Sequence, residues 1–126
     1  MTPTSRTLRL LRASGFVAEV VERWIPHTDR RRDLFGVGDV LAVSRREKLT
    51  LLVQCTSLSN VSSRVKKAQA SAALLTWLKA GNSFEVHGWN EHGEVKRIAL
   101  SAVDLAPSIL QQPRRRRSKP EPDLFA

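Results

Sequence analysis

Two short apolar runs joined by a polar link constrain the fold more than any other feature of this sequence. The runs cover residues 40–43 and 49–55, and the link between them reads SRREK. A polar connection of this length between two apolar runs is typical of a β-hairpin. Both runs are rich in Val and Leu, which indicates central strands that are covered on both faces. Such a sheet needs helices packed on it.

Segments on either side of the hairpin show the spacing of helices. Apolar residues three to four apart predict a helix over residues 7–24, which Pro26 ends. Gly15 weakens that pattern, so this segment is also compatible with a turn between two helical pieces. The clearest helical pattern covers residues 61–80, with Ser59 or Asn60 as the N-cap and Gly81 as the C-cap.

The remaining segments complete an α/β architecture. Residues 84–89 and 95–100 read as two strands joined by the turn NEHGE. Residues 27–32 read as a polar loop with three consecutive arginines, and residues 32–35 are compatible with one more strand before the hairpin. The order predicts one mixed central sheet with helices packed on it.

Length and charge divide the chain into one domain and a tail. The 126 residues suit one domain, which we place at residues 1–106, and residues 107–126 read as a disordered basic tail rich in proline. The tail carries five positive and two negative charges, which leaves about +6 of the net charge of +9 on the rest. A chain this basic usually has an anionic partner, most commonly nucleic acid, although a basic ribosomal or structural protein fits as well.

Cysteine content and hydropathy indicate the compartment. Cys55 is the single cysteine, which excludes an internal disulfide and fits a reducing cytosol. No run approaches the ~20 apolar residues of a membrane span, and the start of the sequence lacks the apolar core of a signal peptide. We therefore expect a cytoplasmic protein without a membrane partner.

Polar side chains gather at the open end of the predicted hairpin. Asp39 opens the first strand, and Gln54 and Thr56 lie at the far end of the second. Strand alternation puts Gln54 and Thr56 on one face and Cys55 on the other. The start of one hairpin strand lies beside the end of the other, so Asp39 and Gln54 are expected to meet at one edge. Glu19 and Glu22, near the end of the predicted first helix, could reach the same edge.

This order resembles the PD-(D/E)XK nuclease superfamily, which includes Holliday-junction resolvases and restriction endonucleases. The shared core of that superfamily is α-β-β-β-α-β, and the resemblance spans residues 8–89. More narrowly, DLFGVGDVLAV, LLVQCTS and SNVSSRVKK are similar to a phage and bacterial subgroup. The resemblance implies a restriction-endonuclease-like core in a bacterial cell, with a phage origin compatible, and it suggests a homodimer.

The resemblance also implies roles for individual residues. Asp39 would be the main ligand of Mg²⁺ or Mn²⁺, while the Gln54 side-chain oxygen and the Cys55 backbone carbonyl would be neutral ligands. Glu22 would hold a water or a second metal. Thr56 stands where the superfamily has Lys, and a hydroxyl cannot stabilise the charge that develops on the phosphate.

Two explanations account for the missing lysine. The cation has moved to the following helix, where Arg64 and Lys67 are three residues apart and share a face, and Lys67 or Arg64 then acts in catalysis. Alternatively, the site is inactive and only the DNA-binding fold remains. The expected DNA contacts are polar and basic residues of the loop, the helix start and the tail: Arg30, Arg31, Arg32, Asn60, Arg64, Lys66, Arg114, Arg115, Arg116 and Arg117.

The end of the tail predicts a protein partner. Two adjacent apolar residues at an exposed end are typical of a short anchor that fits a pocket. Glu121, Asp123, Leu124 and Phe125 resemble the peptide by which proteins bind the bacterial sliding clamp, although Glu121 replaces the preferred Gln. The sequence thus leaves three functions open: a metal-dependent DNA endonuclease recruited by a clamp, an inactive DNA-binding or clamp-binding accessory protein, and, less favoured, a clamp inhibitor.

Overall fold

The computed structural model describes residues 1–28 and 30–110. Its helices are α1 (Pro3–Ala13), α2 (Val61–Gln69), α3 (Ala72–Lys79) and α4 (Ala102–Leu110), and a 3₁₀ turn (Leu58–Asn60) precedes α2. Its strands are β1 (Val17–Val20), β2 (Arg23–Ile25), β3 (Arg30–Arg32), β4 (Val40–Ser44), β5 (Leu49–Ser57), β6 (Ser83–Trp89) and β7 (Val95–Leu100).

Five strands form one mixed sheet in the order β1-β4-β5-β6-β7. The pair β5–β6 is parallel, and the other neighbours are antiparallel. Strands β2 and β3 form a separate antiparallel ribbon, which is inserted between β1 and β4 in the chain. The expected α/β class with one mixed sheet is confirmed.

Helices cover both faces of the central strand β5. Leu51, Val53 and Cys55 lie in one apolar cluster with Leu11 of α1. Leu52 lies in the other cluster, to which α2, α3 and α4 contribute. Six consecutive residues of β5 are buried, which is why the sequence shows a continuous apolar run rather than clean alternation.

The first predicted helix is wrong in its second half. Helix α1 ends at Ala13, and Gly15 adopts a φ of 91°, which is costly for other residues. The amides of Gly15 and Phe16 donate to the carbonyls of Arg12 and Leu11, which is the Schellman arrangement of a helix end. Residues 17–20 then pair with β4, because their β-branched valines suit a strand as well as a helical stripe.

The predicted helix over residues 61–80 is two helices. The hydroxyl of Ser71 accepts a hydrogen bond from the amide of Leu74, so Ser71 begins α3 as its N-cap. The C-cap of α3 is Ala80, and the predicted Gly81 is the next residue, where its φ of 95° ends the helix. Asn60 occupies the N-cap position of α2 but makes no capping hydrogen bond with its side chain.

Two further differences concern the basic segments. The three arginines 30–32 form strand β3 instead of a loop, because they pair with residues 23–25. Helix α4 continues through Pro107 to Leu110, four residues beyond the domain boundary expected at residue 106. Residues 111–126 lie outside the described part of the chain, so the predictions for Arg114–Arg117 and for the clamp-binding residues 121–125 stay predictions.

Candidate metal centre

Asp39 lies at a distortion in the β4–β5 pair. The strand register places Val40 opposite Val53. The amide of Asp39 also donates to the Val53 carbonyl, at 2.9 Å. Two consecutive residues therefore face one residue of β5, as in a β-bulge, and bulges re-aim side chains. The Asp39 side chain turns to β5, where its Oδ1 accepts a hydrogen bond from the Cys55 amide at 2.9 Å.

A tight turn brings a second carboxylate to this place. The amide of Leu34 donates to the Gly38 carbonyl at 2.7 Å, and Phe35 and Gly36 both adopt left-handed backbone conformations, with φ of 55° and 71°. A Cβ atom on Gly38 would lie 2.3 Å from Cγ of Leu52, so glycine is required there. The turn returns the chain close enough for the charge of Asp33 to raise the pKa of Asp39.

The Asp39 carboxyl is held where a negative charge is unfavourable. Only 6% of the residue is exposed. Burial raises the pKa of Asp39 to about 6, and the nearby charge of Asp33 adds to this rise, although the hydrogen bond from Cys55 opposes it. A cation bound between the two carboxylates would offset both unfavourable effects. We call Asp33 and Asp39 the carboxylate pair.

Polar residues lie at the same end of β5 as the Cys55 amide that binds Asp39. Gln54 and Thr56 lie on the β5 face that carries Leu52, and both are about 5% exposed. In the described part of the chain, the side-chain amide of Gln54 and the hydroxyl of Thr56 form no hydrogen bond with another group. The amide and carbonyl of a strand residue point to the same side, so the Cys55 carbonyl points to the side of Asp39. Burial raises the pKa of the Cys55 thiol, which makes it a packing group.

These residues fit a Mg²⁺ ion that keeps several waters. Mg²⁺ is usually held by one or two carboxylates together with waters, rather than by a full set of protein ligands. The carboxylate pair, the Gln54 amide oxygen and the Cys55 carbonyl supply hard oxygen ligands of this kind. Within residues 1–28 and 30–110, no three His, Cys, Asp or Glu side chains form a group that could hold a metal, so the protein's contribution is small.

The expected helical glutamates are placed differently. Helix α1 contains no acidic residue. Glu19 lies in β1 opposite Leu41 and is exposed, because residues 17–20 form a strand. The amide of Val21 donates to the Asp39 carbonyl at 2.9 Å, and the half-buried Glu22 is the next residue. The prediction that Glu22 lies at the end of a helix is wrong. Glu22 lies near Asp39 because the chain that follows β1 pairs with the Asp39 backbone.

The candidate cations differ in position on α2. Val61 and Ala68 are the buried residues of this helix. Arg64, three residues after Val61, is half-buried and borders the buried stripe, whereas Lys66 and Lys67 are exposed. The Asn60 side chain donates to Ser57 Oγ at 3.0 Å and is exposed. Of the two predicted catalytic cations, Arg64 is the less exposed.

The β2–β3 ribbon is rich in arginine and adjoins Asp33 in the chain. In its register Arg23 faces Arg32, Trp24 faces Arg31, and Ile25 faces Arg30. Trp24 is 53% exposed. The ribbon leaves the sheet after Glu22 and returns at Asp33, so it is anchored at the candidate site. Sequence reasoning missed both Asp33 and Trp24, although the glycines at 36 and 38 indicated a turn that brings Asp33 back.

Comparison with models of protein families, with curated proteins and with solved structures finds no match for this chain. In the portion that the structure describes, no helix is both long and apolar enough to cross a membrane.

Proposed function

We propose that this protein is a metal-dependent DNA endonuclease of the PD-(D/E)XK type. The observation that carries the proposal is the buried carboxyl of Asp39, set by a bulge at the open end of the central hairpin and bonded to the Cys55 amide. Buried carboxyls with a raised pKa are concentrated at functional sites. The negative charge of Asp33, which acts on the same carboxyl, would favour binding of a cation at Asp39.

The order of elements supports the fold assignment. The elements follow the order α-β-β-β-α-β once the β2–β3 ribbon is treated as an insertion. In chain order they are α1, β1, β4, β5, the pair α2–α3, and β6. Strand β5 is antiparallel to β4 and parallel to β6, so Asp39 and the end of β5 share one edge with the end of β6. Strand β7 and helix α4 extend this core.

The chain's own residues would position the reacting groups. Asp39, Asp33 and the Gln54 oxygen would hold Mg²⁺ or Mn²⁺, with the Cys55 carbonyl as a further neutral ligand. Bound there, the ion would polarise the scissile phosphate and lower the pKa of a bound water. The Cys55 amide fixes Oδ1 of Asp39, so the carboxyl group has a defined orientation before an ion binds. Glu22, one residue after Val21, would hold a water at the same edge.

Catalysis would also need a cationic side chain to stabilise the negative charge that develops on the scissile phosphate. Thr56 cannot supply this cation, and we assign it to Arg64 because that residue is half-buried beside the buried residues of α2, whereas Lys67 is exposed. The arginines of the β2–β3 ribbon and Lys66 would bind flanking phosphates. The basic tail would add further contacts, its last residues would bind a sliding clamp, and a homodimer would place two sites on two strands.

A second function is supported by the small number of ligands. Two carboxylates and no lysine at position 56 also suit an accessory protein that binds DNA or a clamp without cutting. In that protein the carboxylate pair would no longer act in catalysis, while the ribbon would still bind DNA and the tail would still bind DNA or a clamp.

Cleavage of labelled junction, flap and linear duplex DNA with Mg²⁺ or Mn²⁺ separates the two functions. We expect cutting by the natural chain and none by Asp39→Asn, while Glu91→Gln, which removes a fully exposed acid, cuts normally. DNA binding by Asp39→Asn should be intact or stronger, because a negative charge near phosphates is removed. Tight binding without cutting by the natural chain would exclude the enzyme and support the accessory protein.

A further inference from the structure

A second candidate site lies on the α1 side of the same sheet edge. An open cleft of about 440 Å³ lies between α1 and the turn after β6. Its lining includes Arg6, Arg9, Leu10, Ala13, Trp89 and Gly93. A cleft of this size is in the range of sites for small molecules or single nucleotides.

The aromatic wall of the cleft is held in place by hydrogen bonds. Trp89 is half-buried, and its Nε1 donates to Oγ1 of Thr7 at 2.9 Å. Thr7 and His87 are fully buried, and Oγ1 of Thr7 lies 3.3 Å from Nδ1 of His87. His87 Nε2 in turn lies 2.8 Å from Glu85. The indole ring therefore has a fixed orientation before any ligand binds.

Cations border this ring, and the cleft lining contains no acid. The Arg6 guanidinium lies over the Trp89 ring, 6.0 Å from its centroid, and donates to the Asn90 carbonyl at 2.9 Å. Arg9, one turn further along α1, is exposed and forms no ion pair among the described residues. Glu91 lines an adjoining smaller cleft and projects into solvent beside His92. An aromatic wall with two arginines fits a ligand that has both a flat ring and a phosphate.

We infer that this cleft binds one unpaired nucleotide of the DNA substrate, with its base at the planar surface that Arg6 and Trp89 form together and its phosphate at Arg9. Ser57 pairs with Trp89 and the Cys55 amide binds Asp39, so the cleft is two residues, or roughly 7 Å, along β5 and two strand spacings, or roughly 10 Å, across the sheet from Asp39. That distance is within the span of a few nucleotides, which favours a nucleotide within a strand over a free one. The inference rests on DNA as the substrate of the proposed function.

Binding without cleavage tests this inference separately. The affinity of the full-length chain for a labelled duplex is compared, in EDTA, with its affinity for the same duplex carrying one unpaired nucleotide. Stacking of one base is worth ~1–3 kcal/mol, so we expect the second DNA to bind about 5- to 150-fold more tightly. Arg9→Ala and Ala13→Trp, which fills the cleft from an exposed position, should abolish this preference.

Arg46→Ala is the matched control, because Arg46 is an exposed arginine in the turn at the opposite end of the β4–β5 hairpin. It should weaken both DNAs equally and keep the preference. A preference that survives Ala13→Trp, or no preference in the natural chain, would overturn the assignment. Competition by a deoxynucleoside monophosphate as strong as that of the DNA with the unpaired nucleotide would overturn the choice of a nucleotide within a strand.

The outcome is independent of cleavage. A preference that depends on the cleft in a protein that does not cut would refute the endonuclease and leave the nucleotide site standing. Cleavage that requires Asp39, in a protein that does not prefer the DNA with an unpaired nucleotide, would support the endonuclease and refute the nucleotide site.

Discussion

Replacing Asp39 by Asn should stabilise the protein at neutral pH while it removes the proposed activity. The amide oxygen of Asn can still accept the hydrogen bond of the Cys55 amide, but the buried negative charge is gone. The pKa of Asp39 rises from 3.8 to about 6 in the folded chain. Because each pKa unit corresponds to 1.36 kcal/mol, the ionised carboxyl costs about 3 kcal/mol of folding free energy at pH 8.

The sign of the pH dependence follows from the raised pKa. The stabilising contribution of the protonated carboxyl is fully present below about pH 4 and is lost as the pH rises through about 6. The natural chain and Asp39→Asn should therefore have similar stability near pH 4. Near pH 8 the variant should be more stable, with a difference between the two pH values of about 2–3 kcal/mol.

Urea denaturation of both chains at both pH values measures this difference, and other titrating groups cancel because both chains contain them. Glu91→Gln should show no such difference, since that side chain is 86% exposed. Mg²⁺ should stabilise the natural chain and not the variant. An Asp39→Asn protein that is equally destabilised at both pH values would refute the reasoning and make Asp39 a structural acceptor.

Three other perturbations test the site, its cation and the tail. Gly38→Ala should destabilise the domain by roughly 1–3 kcal/mol in urea denaturation, because the added methyl overlaps Leu52; an unchanged midpoint would contradict the packing. Arg64→Ala should reduce the cleavage rate far more than Lys67→Ala, and the reverse order would assign the cation to Lys67. Replacing Leu124 and Phe125 together by Ala should abolish binding to a bacterial sliding clamp in a pull-down or calorimetry, and an unchanged affinity would remove that partner.

Local patterns predicted the centre of the fold well. The β4–β5 hairpin, the β6–β7 pair and the glycine at the end of α3 follow from apolar runs, a short turn and a left-handed backbone. Each of these depends on residues close together in the chain. The sequence therefore contained enough information for the sheet that positions Asp39.

Non-local pairing explains what the sequence did not predict. Valines at 17, 20 and 21 have helical spacing, and only their pairing with β4, about 20 residues later, makes that segment a strand. The chain that leaves β1 binds the Asp39 carbonyl through the Val21 amide, so Glu22 reaches this edge without any helix. Asp33 joins the site through a tight turn over Leu52, a contact that periodicity does not encode.

The most direct test of the carboxylate pair is a count of bound ions. Titration of the full-length chain with Mn²⁺, followed by electron paramagnetic resonance of the free ion, should show bound Mn²⁺ at the carboxylate pair. Asp39→Asn should lose that binding, and Glu91→Gln should keep it. Mn²⁺ binding that is the same in Asp39→Asn as in the natural chain, or no binding by the natural chain, would contradict a metal centre at this end of the hairpin.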